Sequence, residues 1–154
     1  MLRGFILFFI VFLGVGSLQA QNCSELIGTC EYYQCIENTE QCGSKGYYLE
    51  FGKHYCEKYK ANQSKYTYQG EAFLDNIRNC LQDELERERE RSGQLPSCGQ
   101  IKKFAIETHK TCYRQYDFCG LSTSDSVRIK LTATKELFDP QMFKFAFWLE
   151  KSCF

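Results

Sequence analysis

Glu71-Ala72-Phe73-Leu74-Asp75-Asn76-Ile77-Arg78-Asn79-Cys80-Leu81-Gln82-Asp83-Glu84-Leu85-Glu86-Arg87-Glu88-Arg89-Glu90-Arg91 is the stretch that decides the fold. Phe73, Leu74, Ile77, Leu81 and Leu85 recur at three and four residues, the period of one helical face. Cys80 sits at the edge of that stripe. Beyond it, Glu84 and Arg87, Glu86 and Arg89, and Glu88 and Arg91 stand three apart, where opposite charges lie side by side on a helix. Such a charged run reads as a solvated helix end rather than a docking surface. Residues 71–91 are therefore a long helix, buried on one side.

The same reading extends outward to both ends. Downstream, Gly93 and Pro96 break the helix, and 98–118 reads as another helix with Ile101, Phe104, Ala105, Thr108, Cys112, Tyr113 and Tyr116 on its inner face. After a polar loop at 120–126, 127–138 reads as helical. Asp139 then caps a last helix with Pro140 in its first turn. On that helix Phe143, Phe147 and Cys153 are read as facing one side, with Met142, Phe145, Ala146 and Leu149 widening the apolar face. Trp148, the only tryptophan, falls at the core edge or in a binding patch. Upstream, 23–35 reads as a short first helix and 40–46 as a turn at Gly43 and Gly46. Residues 47–59 read as a second helix with Tyr48, Phe51, Tyr55 and Tyr59 on one face, and 62–70 as a polar loop. The expected fold class is all-α, a single domain of five or six helices.

The chain opens with Arg3 and then an apolar run of roughly a dozen residues, the pattern of a secretory signal peptide and too short for a bilayer span of about 20. Small residues at Gly16, Ser17 and Ala20 place cleavage after Ala20, with Ser17 as the alternative. The domain expected is 21–154, exported to the extracellular space. All ten cysteines lie within it: Cys23, Cys30, Cys35, Cys42, Cys56, Cys80, Cys98, Cys112, Cys119 and Cys153. An even count in an exported chain reads as disulfides, each contributing about 2–4 kcal/mol by restricting the unfolded chain. The closest pair, Cys30 and Cys35, has four residues between, which does not fit the short spacing of a zinc cluster.

Nineteen basic and nineteen acidic residues balance, and removal of Arg3 with the leader leaves one net negative charge. No basic patch marks a nucleic-acid binder. Two histidines, His54 and His109, could serve a small acid–base hydrolase, but both read as surface side chains and neither stands in a known catalytic motif. No metal, cofactor or catalytic residue is expected. Two N-x-S/T sequons begin at Asn22 and Asn62. Asn62, in a polar loop, is the better glycan acceptor, because Asn22 adjoins both Cys23 and the cleavage point.

Three signatures in register then resemble the stanniocalcin family. Cys30-x4-Cys35-Ile36-Glu37-Asn38-Thr39 is close to that family's C-x4-C-L-E-N-S/T. Tyr68-Gln69-Gly70-Glu71-Ala72-Phe73-Leu74, ending at Cys80, is close to T-Q-G-K-A-F-V before a cysteine. Cys98-x13-Cys112-Tyr113-x5-Cys119 matches in both gaps and in the Cys-Tyr pair. The resemblance spans roughly residues 30–153. Pattern alone leaves the cysteine connectivity open. The resemblance implies Cys23 with Cys35, Cys30 with Cys56, Cys42 with Cys98, Cys80 with Cys112, and Cys119 with Cys153.

Family members are secreted glycoprotein hormones or local factors, linked to calcium and phosphate homeostasis and to inhibition of pappalysin-type metalloproteinases, and they are usually disulfide-linked dimers. The resemblance thus implies a non-enzymatic secreted ligand whose partner is an extracellular protein receptor or protease. Two departures bear on that expectation. The family's usual interchain cysteine has no counterpart beyond Cys153, so a monomer or a non-covalent homodimer through the last helix is expected. The family's sequon near the C-x4-C signature is also lost. The alternatives kept open are a cysteine-rich secreted effector or toxin, and a small secreted hydrolase using His54 and His109.

Overall fold

A computed structural model of the chain describes residues 22–153, so the leader at 1–20 and its cleavage point lie outside the described part. Among the described residues there are six α-helices and no strand, which is the all-α class expected from the sequence. They are α1 (Glu31–Glu40), α2 (His54–Ala61), α3 (Tyr68–Ser92), α4 (Ile101–Gln115), α5 (Thr123–Thr132) and α6 (Pro140–Ser152). Short 3₁₀ turns at Cys23–Leu26, Gln63–Lys65, Phe118–Gly120 and Thr134–Phe138 join them.

α3 is the longest helix, and its stripe is buried as the periodicity requires: Phe73, Leu74, Ile77, Cys80, Leu81 and Leu85 are all in the core. It packs against α4, where Ile101, Ala105, Ile106, Thr108, Cys112 and Tyr113 are buried. Phe104 and Tyr116 are only partly covered there, and Ile106 takes a core place that the sequence reading did not give it. The ring of Phe73 meets Tyr113 edge-on at 5.3 Å, and the Cys80–Cys112 bridge ties the two helices. The charged end of α3 forms all three ion pairs expected, Glu84–Arg87, Glu86–Arg89 and Glu88–Arg91. That end is not wholly solvated, because Leu85 is buried and Glu86 accepts a 2.8 Å bond from the Tyr32 hydroxyl.

Several boundaries differ from the sequence reading. The single helix expected over 23–35 is a 3₁₀ turn followed, after a turn containing Gly28, by α1, which runs on to Glu40. Gln82 explains the break. It is fully buried, accepts the Gly28 N–H at 2.6 Å and donates to the Thr29 carbonyl at 2.7 Å, so backbone that a helix would use is bound to α3 instead. The helix expected over 47–59 divides into a π-helical turn, Tyr47–Lys53, and α2. Gly52 lies where a Cβ would stand 2.6 Å from the Tyr33 ring, so the wide turn lets α1 press directly onto the backbone. α3 begins earlier than expected, at Tyr68, because Thr67 caps it by accepting the Gly70 N–H. α4 is shorter at both ends than 98–118. α5 starts at Thr123, inside the expected loop, and 127–138 is two pieces rather than one.

Five disulfides hold these elements: Cys23–Cys35, Cys30–Cys56, Cys42–Cys98, Cys80–Cys112 and Cys119–Cys153. They use all ten cysteines and are the pairs that the family resemblance implies. Three fasten the N-terminal turn, α1 and α2 to one another and to the segment before α4. The last fixes the end of α6.

Candidate functional site

α6 is pinned at both ends before any of its faces is considered. At its start the Asp139 carboxylate accepts the N–H groups of Gln141 at 2.8 Å and Met142 at 3.1 Å, as the sequence led us to expect. Lys102 of α4 reaches the other carboxylate oxygen at 2.9 Å. Burial would raise the Asp139 pKa, but the lysine and the two backbone donors outweigh it and hold the group below its ordinary value. At the far end stands the Cys119–Cys153 bridge.

Between these anchors, Met142, Phe145 and Leu149 face inward toward α4. The sequence reading chose the wrong face here. Phe143 and Phe147, expected to lead the apolar side, are 61% and 56% exposed. Contacts available to α6 come from α4 and the Thr134–Phe138 turn, and these select the 142/145/149 face. A helix with apolar residues nearly all round offers no internal signal to choose between faces. Trp148 is half-buried at the core edge, stacked on Phe145 at 5.7 Å and covered by the Arg114 guanidinium at 4.9 Å.

Phe143 and Phe147 instead face a groove. Its opposite wall is α5 with the following turn, through Val127, Leu131, Leu137 and Phe138, all exposed. Its floor is made by Phe51, Tyr55, Tyr59, His109, Tyr113 and Phe145. The groove has a volume of ≈ 640 Å³. The α5 wall is held in place by polar bonds from α2: Lys58 Nζ donates to the Thr132 carbonyl at 2.6 Å, Tyr59 to the Ile129 carbonyl at 3.0 Å, and Tyr55 to Glu136 at 2.7 Å. Across the mouth, Lys130 and Glu150 form an ion pair at 2.6 Å.

His109 was read as a surface side chain, and the structure corrects that. Its ring lies on the groove floor, 5.7 Å from Phe145, 6.0 Å from Tyr113 and 6.5 Å from Phe51. Nδ1 stands 2.7 Å from the Ala105 carbonyl, which can only accept, so Nδ1 carries the proton. Burial holds the imidazole below its ordinary pKa, against the opposing effect of that bond. Nε2 therefore presents a lone pair, and among the described residues it has no partner. A sequence scan treats a histidine beside Lys110 as exposed. Its place one turn before Tyr113 on the inner face was the available signal.

His54 is exposed, and its ring meets that of its neighbour Tyr55 edge to face at 4.9 Å. The two histidines share no contact. Among the described residues no group of three His, Cys, Asp or Glu side chains is placed to hold a metal, and no helix is long and apolar enough to cross a membrane. Of the two sequon asparagines, Asn22 is exposed and accepts the Ser24 N–H. Asn62 ends α2 rather than lying free in a loop. Its amide donates to the Lys58 carbonyl at 2.8 Å and its oxygen accepts from Lys65 at 2.6 Å.

The signature residues converge on structural tasks. Glu37 of the first signature is buried and accepts the Gly43 N–H at 2.5 Å, closing the chain behind α1. Gly70 of the second lies where a Cβ would stand 2.7 Å from Asp125 Cγ. Tyr113 of the third fills the space between Phe73, Phe118 and Phe145. The Stanniocalcin family model matches residues 17–144. This chain belongs to the stanniocalcin family. Stanniocalcin family membership suggests a secreted, hormone-like glycoprotein. No curated protein sequence and no solved structure gives a significant match to the chain.

Proposed function

We propose that this stanniocalcin-family chain is a secreted, non-enzymatic regulator that acts by binding an extracellular receptor or protease through the α5–α6 face. The observation that carries the reading is the outward aromatic surface of that face. Phe138 is 95% exposed, and Leu131, Phe143 and Phe147 are each more than half exposed beside it. A contiguous apolar patch on a molecule cross-linked this heavily is a recognition surface in search of a cover. The five bridges supply the complement, a rigid frame that presents the patch at low entropic cost. Calcium and phosphate homeostasis and extracellular protease control are the settings that family membership suggests for such a ligand. A glycan would be carried by Asn62 at the end of α2 or by Asn22 at the N-terminal turn.

Affinity capture from extracellular fluid tests the proposal. The disulfide-bonded chain is expected to retain a specific protein, and Phe138→Ser, which removes a ring with almost no burial in the fold, is expected to weaken capture at least tenfold without changing thermal stability. Equal capture by both forms would remove the α5–α6 face from the mechanism. A hydrolase reading makes a different demand: His54→Ala with His109→Ala would have to abolish a turnover that the native chain shows.

A further inference from the structure

Beneath the outward aromatics, the floor of the groove has features that a protein-docking surface does not require. Tyr113 is only 8% exposed, yet among the described residues its hydroxyl has no hydrogen-bond partner. One helical turn away, His109 Nε2 is also without a partner. Both atoms keep contact with solvent through the groove, so a ligand that dries the groove must supply their partners, since a polar group left buried and unpaired costs about 1–3 kcal/mol. Both rings line the groove, and both also line the smaller cavity of ≈ 70 Å³ that continues below it toward Tyr33 and Leu81. Apart from Thr134 and the Lys130–Glu150 pair at the mouth, the rest of the lining is aromatic or aliphatic. A volume of ≈ 640 Å³ lies within the range of about 300–1,000 Å³ typical of small-molecule sites, which pair an apolar lining with a few convergent polar groups.

We propose that the groove between α5 and α6 is a binding site for a small amphiphilic alcohol, an apolar molecule carrying one hydroxyl. The hydroxyl donates to His109 Nε2 and accepts from the Tyr113 hydroxyl, while the hydrocarbon lies along Phe145, Leu131 and Phe147. The donor–acceptor pair selects the head group. A neutral imidazole offers a lone pair, which repels a carboxylate. The cation at the mouth, Lys130, is already paired with Glu150. A helix or loop of another protein laid across the rim would seal both floor groups away from water without reaching them, so the geometry favours a small molecule over a macromolecule at this depth. The site shares Leu131 and Phe147 with the face proposed for protein recognition, but its choice of head group rests on His109 and Tyr113, which that face does not use.

Trp148 stacks on Phe145 and is the only tryptophan, so its emission reports on the floor. The test titrates the full disulfide-bonded chain with decan-1-ol and with decyl methyl ether, which keeps the chain and the oxygen but cannot donate. Fluorescence and calorimetry follow both titrations. The expected result is saturable one-site binding of the alcohol and an ether about tenfold weaker, the worth of one hydrogen bond. Tyr113→Phe and His109→Phe should each weaken alcohol binding by about that factor, and His109→Phe should bring alcohol and ether together. Tyr113→Phe removes one oxygen and keeps the ring, so it remains informative if the histidine variant fails to fold. Three results would overturn the proposal. The first is alcohol and ether binding equally to the native chain. The second is no saturable binding of either. The third is a self-associated chain, or one bound to phosphatidylcholine vesicles, whose groove excludes both probes.

Discussion

Asp125 shows how a single side chain organises this molecule. It is 1% exposed and accepts three hydrogen bonds from two helix starts: the Thr67 N–H at 3.1 Å and hydroxyl at 2.5 Å, and the Ser122 hydroxyl at 2.9 Å. It thereby joins the N-termini of α3 and α5, whose positive dipole ends both favour a carboxylate. Burial would raise its pKa, but the Thr67 and Ser122 donors prevail and hold it below the ordinary aspartate value. A group whose folded pKa is depressed stabilises the fold above its unfolded pKa, near 3.9, and loses that contribution as pH falls through the folded one. Asp125→Asn is therefore expected to lower stability at pH 7 by about 1–3 kcal/mol and to flatten the acid limb. Urea midpoints followed from pH 6 to pH 2 check this. A variant whose midpoint falls as steeply with acid as the native protein's would show that Asp125 is not the group responsible. Gly70 follows from the same carboxylate, since a Cβ would strike it. The Gln69-Gly70 signature was legible as a pattern, but its cause was not. Nothing in the local sequence announces a carboxylate more than fifty residues away.

Among the elements, those whose identity rests on local chemistry were the legible ones. α3 showed itself by its stripe and ion pairs, and the start of α6 by Asp139-Pro140. Elements set by distant partners were misread. α1 is cut from the N-terminal turn by Gln82 of α3. The Tyr47–Lys53 turn widens to admit Tyr33 against Gly52. α6 takes its inner face from α4 rather than from its own moment. The candidate site was hard to read for the same reason: its local signal was only the place of His109 one turn before Tyr113, and its other partners, Phe51 and Phe145, come from two distant elements. The cap itself makes a prediction on the α6 scale. Asp139→Ala removes two backbone acceptor contacts and the Lys102 partner, which should cost about 0.5–2 kcal/mol for the cap. Asp139→Asn keeps the cap and loses only the ion pair, so it should recover most of that loss, because a partly exposed pair contributes about 0–1 kcal/mol. Thermal or urea unfolding of the two variants separates cap from charge, and equal losses would assign the effect to Lys102.

Across the whole molecule the cross-links are unevenly distributed, and stability should follow them. The N-terminal turn, α1, α2, α3 and α4 share four bridges, closing loops of 12, 26, 56 and 32 residues. The α5–α6 unit, which carries the groove and the exposed aromatics, has one, with a separation of 34. In the chain-entropy view a loop of that size contributes about 3–4 kcal/mol, and it is the only disulfide between α6 and the remainder. Without it α6 is held only by non-covalent contacts: Met142, Phe145 and Leu149 on α4, the Lys102–Asp139 and Lys130–Glu150 ion pairs, and packing on the Thr134–Phe138 turn. Paired replacement Cys119→Ser/Cys153→Ser should therefore divide a single cooperative transition into two. Trp148 emission would shift red at low urea as α6 leaves α4, while far-ultraviolet dichroism, dominated by α3 and α4, persists to a higher concentration. Under the same conditions the native chain should show both probes changing together. Coincident transitions in the variant would mean that apolar packing alone makes α6 part of the core, and that the groove does not belong to a separable unit. Separate transitions would place the exposed aromatic face proposed for recognition on the most easily released part of the fold, where binding to the folded form should raise its stability in proportion to occupancy.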